Sequence, residues 1–419
     1  MNKLEEFLNS INMHPHQTDM ELFIKNIRTE MERGLEGKPS SLKMIPSYIG
    51  AHGEIRLNEP VIAIDAGGTN MRTGLVSFTE AGLKLEHFKK CPMPGSGGEI
   101  SVDRFFSIIA EKILPLTEFS HKISFCFSYP AEVFENRDGK IICFIKEVKV
   151  RDSEGVVIGE TLLKKLHELG QTKPMGFTLL NDTTAGLMGG IATLDLKKAD
   201  GLCGLVLGTG LNSCYLEKGK KIKKLSGVGD MIINCESGIF DRAFRGESDL
   251  MCDRSSEVCG DHQLEKMLSG VYHGSVISNT IFLAAKAGLL SEGFLAHREF
   301  TTPELDNFLR GEENEVKKLC RNSDEEIVRE IIDLSFERGA RLVCAMLCAH
   351  CLHCNGGRSE KTPFCVVAEG STIHQSLLFK KKLENYLENY AKNKLGCNIS
   401  LVRAENSTMA GAALAALLN

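Results

Sequence analysis

The chain has 419 residues, 42% of them hydrophobic and 25% charged, enough for two or three globular domains whose cores need no disulfide or metal staple. A net charge of −5 and a pI near 6.2 exclude the basic character that nucleic acid and anionic membranes select. No stretch approaches the roughly 20 apolar residues of a membrane span, the beginning has no signal-peptide pattern, and fifteen scattered cysteines, an odd number, read as free thiols of a reducing, cytoplasmic setting.

Along the chain, Thr18 and Glu21 have capping-box spacing, and Phe23, Ile27 and Met31 recur every four residues, which predicts a helix ended by Gly34. Residues 60–78, PVIAIDAGGTNMRTGLVSF, read as strand, glycine turn, strand. A helix over Val102–Leu116 and a strand over Lys122–Ser128 follow, and another strand closes in LLNDTTAG, residues 179–186. Residues 201–219, GLCGLVLGTGLNSCYLEKG, repeat the strand–turn–strand pattern about 140 residues after the first, a spacing compatible with a duplicated domain. The two turns end in Asn70 and Asn212. The architecture this predicts is a pair of α/β domains with matching hairpins facing each other across a cleft. Further on, a helix over Ser335–His353 carries Cys348 and Cys351, with Cys354 just beyond and His350 and His353 interleaved. Those spacings suit a metal or an iron–sulfur cluster, but no fourth ligand stands at a convincing distance, and small thiols packed against a sheet account for them.

Glycine turns carry chemistry because backbone N–H groups without neighbouring Cβ atoms can converge on phosphate oxygens. No P-loop and no GxGxxG turn opening a helix is present, so neither of those nucleotide grips applies. A single Gly-Gly-Thr turn is equally an ordinary hairpin. Two of them, the first flanked by Asp65 and Arg72, point instead to a triphosphate gripped from both sides by Gly67, Gly68, Thr69 and Asn70 and by Gly208, Thr209 and Gly210. Asp65 is suited to hold Mg²⁺ through water rather than directly, Arg72 to pair with a phosphate, and Thr209 to meet the moving γ-phosphoryl. Asp182, straight after an apolar run, reads either as a helix cap or as the base that accepts a proton from an alcohol.

EMERGL and SSLKMIPSYI, then IDAGGTNMR, FCFSYPA, LLNDTTAG, GLVLGTGLNSCYLE, INCESGIFD, LEKMLSGVY, VVAEGSTIHQS and AENSTMAGAAL follow one another in order. Over nearly its whole length the chain thereby resembles the hexokinase family. The resemblance implies an α/β, actin-like fold of two ribonuclease-H-like domains around a hinged cleft. The expected boundaries are an N-terminal helical segment over 1–42, a small domain over 43–182 plus 405–419, and a large domain over 183–404. It implies transfer of the γ-phosphate of ATP, with Mg²⁺, to the 6-hydroxyl of a hexose such as glucose, mannose or fructose. Asp182 would be the general base, and Lys146, sixteen residues after Pro130, would contact the sugar and the developing charge. Ser128, Asn181, Asn212 and Glu236 would bind the other hydroxyls, and Gly370 and Ser371 match the adenosine-side motif.

Two departures fall on the sugar side. Ile145 stands where the family usually has threonine, and in SGVYHGS a sugar-contacting glutamate is replaced by Ser275, which implies weaker glucose binding or another preferred hexose. Three other readings remain open: a repressor-type sugar kinase, whose glycine-interleaved cysteine cluster is missing here; a catalytically weak sugar sensor; and an actin-like ATPase that needs no sugar. A homo-oligomer is compatible with the sequence, which does not set the oligomeric state.

Overall fold

The computed structural model describes residues 3–51, 53–68, 70–144, 148–196 and 198–418. Its principal elements in the first half are α1 (Met20–Leu35), β1 (Ile45–Pro46), β2 (Val61–Ala66), β3 (Asn70–Thr79), β4 (Gly82–Pro92), α2 (Val102–Ile113), β5 (Lys122–Phe127), α3 (Ile158–Glu168), β6 (Gly176–Leu180) and α4 (Asp182–Thr193). The second half continues with β7 (Gly201–Leu207), β8 (Leu211–Glu217), β9 (Met231–Asn234), α5 (Gln263–Leu268), α6 (His273–Lys286), α7 (Asp324–Cys354), β10 (Phe364–Glu369), β11 (Ile399–Val402) and α8 (Ser407–Leu417).

Both halves build a sheet by the same rule. An antiparallel meander of three strands is extended, on the far side of its first strand, by two parallel ones. The first sheet therefore runs β6-β5-β2-β3-β4 and the second β11-β10-β7-β8-β9, with β1 added beyond β9. The repeated hairpins of the sequence are β2–β3 and β7–β8, which set Asp65 opposite Arg72 and Val206 opposite Asn212.

Strand β2, VIAIDA, is buried along its whole length because both of its faces are covered. Ile62, Ile64 and Ala66 enter a core with Phe105, Ile109 and Leu162 of α2 and α3. Val61 and Ala63 enter a second core with Met409, Ala412 and Ala413 of α8. Helix α4 packs on the second sheet, α8 packs on the first, and the two helices lie against each other. The crossing is close: a Cβ on Gly411 would stand 1.8 Å from the Ala185 carbonyl oxygen, and one on Gly189 would stand 2.0 Å from that of Ser407.

Some local expectations are corrected. The N-cap of α1 is Asp19, whose carboxylate accepts from Leu22 N–H at 3.0 Å, because the Thr18 N–H already closes the preceding turn onto Pro15 O. Gly34 lies inside α1 rather than ending it, where its missing side chain admits Met44 and the Leu42 carbonyl. Helix α2 stops at Ile113 and tightens into a 3₁₀ turn over Leu114–Glu118 that contains Pro115. Helix α7 begins at Asp324, eleven residues before the expected Ser335. All fifteen cysteines are free and ten are buried. The thiols of Cys348 and Cys351 lie near that of Cys397, and Cys351 donates to the Gly356 carbonyl at 3.2 Å. Among the described residues no group of three His, Cys, Asp or Glu side chains is arranged to hold a metal, and no helix is long and apolar enough to cross a membrane.

Substituting Gly411 by alanine tests the crossing. Alanine gains about 1 kcal/mol of helix propensity over glycine, while overpacking costs about 1–3 kcal/mol or more, and here the obstructing atom is backbone. A net loss in the urea midpoint is expected; unchanged or raised stability would show that the crossing tolerates a methyl group.

Candidate active site

The first glycine turn is tied down from three directions. Gly67 N–H donates to Asn70 O at 3.2 Å, and the Tyr129 hydroxyl donates to Gly67 O at 2.8 Å. Ser128 N–H donates to Ala66 O at 3.2 Å, so the FCFSYPA segment is fastened directly to the turn, with Ser128 half-buried beside it. Gly68 is half-buried in the same turn, and Thr69 lies outside the described residues. Asp65, only 4% exposed, faces Arg72 across the hairpin, with Nε 3.5 Å from Oδ2. The same Oδ2 accepts from the Thr408 hydroxyl at 3.0 Å, a contact between residues 343 apart in sequence.

Around the second turn four glycines converge. Gly208 N–H donates to Gly210 O at 3.0 Å, and Gly270 N–H donates to Gly208 O at 2.6 Å. Gly370 has φ +114°, and a Cβ there would come 2.2 Å from Leu207 O; one on Gly270 would come 2.6 Å from Gly208 O. Only glycine allows these backbones to approach so closely. Ser371 follows, exposed, and Thr209 is exposed at the tip of the turn. Glu265 of α5 accepts from Leu211 N–H at 2.8 Å and occupies the space that a side chain on residue 210 would need, 2.7 Å from its ideal Cβ.

Asn181, not Asp182, caps α4, accepting from Thr183 N–H at 2.8 Å. Asp182 is the first helical residue, and its Oδ1 accepts from Thr183 N–H at 2.7 Å and from the Thr183 hydroxyl at 3.2 Å. Oδ2 has no protein partner among the described residues. Asn212 is held by its oxygen, which accepts from Ser213 N–H at 2.7 Å and Ser237 N–H at 3.2 Å, while its Nδ2 donates to Asn234 Oδ1 at 2.8 Å. Asn234 Nδ2 in turn donates to Glu236 Oε1 at 2.6 Å. Glu236 has a left-handed backbone, φ +55°, ψ +52°, a conformation that costs a non-glycine residue about 1–2 kcal/mol and persists where the surroundings enforce it.

Burial holds the carboxyls of both Asp65 and Glu236 above the ordinary carboxylate range, and the charge of Asp182 pushes each further. Arg72 and Thr408 offset part of this at Asp65, and Asn234 offsets part at Glu236. The first hairpin, the start of α4 and the loop after β9 therefore bring three carboxylates within electrostatic reach of one another. Among the described residues Ser275 makes no polar contact with this cluster: it is buried on α6, near the Cys252 thiol. Lys146 and Ile145 lie outside the described residues. Asn234, Glu265 and Thr408 join the site without having been singled out in the sequence, although each stands inside a recognisable segment: INCESGIFD, LEKMLSGVY and AENSTMAGAAL.

Hexokinase family models match residues 3–192 and 202–418. The chain belongs to the hexokinase family. Relatives include Hexokinase-2 of Homo sapiens, 26% identical over 423 residues that cover 93% of this chain and 45% of that protein. Hexokinase-1 of Schizosaccharomyces pombe is 26% identical over 422 residues, covering 93% of this chain and 85% of its own. The chain thus spans about half the length of the mammalian relatives it matches. Among solved structures, a hexokinase from Schistosoma mansoni complexed with glucose superposes with a TM-score of 0.79 at 21% identity, covering 99% of this chain and 98% of that one. A second hexokinase structure gives a TM-score of 0.79 at 19% identity over the full length of both chains. These likenesses establish the actin-like, two-domain hexokinase fold.

The raised carboxyls make a signed stability prediction. A carboxyl whose folded pKa lies above its unfolded value contributes stability that is present below the unfolded value and lost as pH rises through the folded one. Ionised Glu236 therefore burdens the empty protein at neutral pH. Glu236→Gln should raise the thermal midpoint at neutral pH, and the gap should narrow as pH falls toward about 4. A variant no more stable than wild type at neutral pH contradicts this reading.

Proposed function

We propose that the chain is an ATP-dependent hexokinase that transfers the γ-phosphate of ATP to the 6-hydroxyl of glucose, mannose or fructose, with Asp182 as general base. The observation that carries the reading is the position of Asp182: at the start of α4, with one carboxylate oxygen committed to Thr183 and its charge felt by both Asp65 and Glu236. The glucose bound to the Schistosoma mansoni relative supports the substrate class.

In this reading the free Oδ2 of Asp182 accepts the proton of the sugar's 6-hydroxyl as its oxygen attacks the γ-phosphorus. Asn181, Asn212, Glu236 and Ser128 bind the remaining hydroxyls, with Lys146 against the sugar and the developing charge. The turns at Gly67–Asn70 and Gly208–Gly210 supply N–H groups to the triphosphate, Arg72 pairs with a phosphate, and Gly370 and Ser371 face the adenosine. The residues present fit Mg·ATP: glycine-lined turns that a Cβ would fill, and a hard carboxylate oxygen at Asp65. Asp65 would hold a bound Mg²⁺, which would supply charge neutralisation at the triphosphate. Positioning and charge neutralisation supply most of the rate, and the base about 10²–10⁴-fold. We place the small domain at 43–182 plus 405–419 and the large one at 183–404, with closure on sugar excluding water as the competing acceptor. Ile145 and Ser275 shift the hexose preference away from tight glucose binding.

ADP release from Mg·ATP, measured with glucose, mannose, fructose, glucosamine, N-acetylglucosamine or no sugar, tests this. Turnover should depend on a hexose, and Asp182→Ala should lower kcat by about 10²–10⁴-fold. Sugar binding without turnover makes the chain a sensor, and sugar-independent ADP release makes it an ATPase of another kind.

A further inference from the structure

Two histidines that the sequence places among a run of cysteines turn out to bond to side chains of strand β8. Ser213, Tyr215 and Glu217 alternate along β8 on the side that meets α7, the period-two rule of a strand. There, His353 Nε2 lies 2.5 Å from Glu217 Oε2, the Tyr215 hydroxyl donates to Glu217 Oε2 at 2.8 Å, and His350 Nε2 lies 2.8 Å from Ser213 Oγ. Ser213 Oγ is also hydrogen-bonded to Ser237 Oγ, and the Cys235 thiol lies within its reach. His350, Ser213 and Ser237 are all buried.

The two serines are the residues that directly follow Asn212 and Glu236. Both of their backbone N–H groups donate to the side-chain amide oxygen Oδ1 of Asn212, at 2.7 and 3.2 Å. We propose that His350 is a positioning residue for sugar recognition: through Ser213 and Ser237 it holds Asn212 and the left-handed Glu236 in the one arrangement that reads the hexose hydroxyls. The inference rests on the function proposed above.

The direction of the hydrogen bonds follows from elimination. Burial lowers the imidazole's pKa to about 3, so His350 carries a single N–H. Its Nδ1 is buried without a partner among the described residues. An orphaned acceptor is tolerated more readily than an orphaned N–H donor, which puts the proton on Nε2 and makes Ser213 the acceptor. Ser213 is then free to donate its own proton to Ser237, so the chain runs outward from α7 to the loop that bears Glu236. Packing of His350 on Tyr215, with ring centroids 5.3 Å apart, explains its burial but not this link between the two serines. An apolar side chain of similar size would serve packing equally well.

The test compares wild type, His350→Leu, His350→Gln and Ser237→Ala for kcat, for KM of each hexose and of ATP, and for thermal midpoint. Leucine keeps the volume and removes the hydrogen bond; glutamine can return an amide N–H to the place of Nε2. His350→Leu should raise the sugar KM about tenfold and flatten the ratio of kcat/KM between the preferred hexose and its competitors, with the KM for ATP unchanged within about twofold. Glutamine should restore both, and Ser237→Ala should reproduce the leucine effect even where the leucine variant does not fold. Equal changes in both KM values, or a lowered thermal midpoint with the sugar ratio intact, reduce His350 to a packing residue and overturn the inference. An active wild type whose His350→Leu and Ser237→Ala variants keep the sugar KM overturns it alone. A wild type that turns over no hexose overturns the function beneath it.

Discussion

The fold turns on a backbone-to-backbone contact between two helices far apart in the chain, Asp182–Thr193 and Ser407–Leu417. Helix α4 rests on one sheet and α8 on the other, and where they cross, Gly411 and Gly189 leave no room for a single methyl group. The contact fixes more than the packing of two layers. Asp182 is the first residue of α4, and Thr408, which grips Asp65, is the second residue of α8. The distance between Asp182 and the β2–β3 hairpin is therefore set by how closely two helices can approach. A slip of one helix along the other would move one end of the site relative to the other.

A second constraint is electrostatic and works against stability. Asp65 and Glu236 are buried, and each is burdened further by the charge of Asp182. A fold selected for stability alone would not gather carboxylates in this way, since desolvating charge is costly unless it is compensated. The partial compensation comes from Arg72, Thr408 and Asn234, all short-range and each from a different element. Strain of another kind accumulates at the same place, in the left-handed backbone of Glu236.

Much of this was legible in the sequence because the hairpins are local. Asp65 and Arg72 are seven residues apart and meet across one turn, and the repeat of that turn at Gly208–Gly210 announces the duplicated sheet. The order of the motifs named the family. What stayed hidden came from distance. Glu265 reaches the second turn from 54 residues away and Thr408 reaches Asp65 from 343, and no periodicity or spacing encodes such meetings. The capping of α4 was misjudged between neighbours, because Asn181 and Asp182 are both good caps and only the backbone geometry separates them. The thiol-rich run on α7 drew attention to sulfur, while its two histidines bond to the serine and carboxylate of a strand some 136 positions earlier.

The thiols themselves have a consequence for how this protein fails. Ten of the fifteen cysteines are buried, and Cys348, Cys351 and Cys397 lie against one another in the core without being joined. Folded, they are shielded from oxidants. Unfolded, they become a dense set of reactive groups on one chain, able to form mismatched crosslinks faster than the long-range sheet pairings can re-form. Heat inactivation in air should then behave as a one-way process governed by the unfolding rate, with a half-life that a thiol reductant prolongs, rather than as a reversible equilibrium.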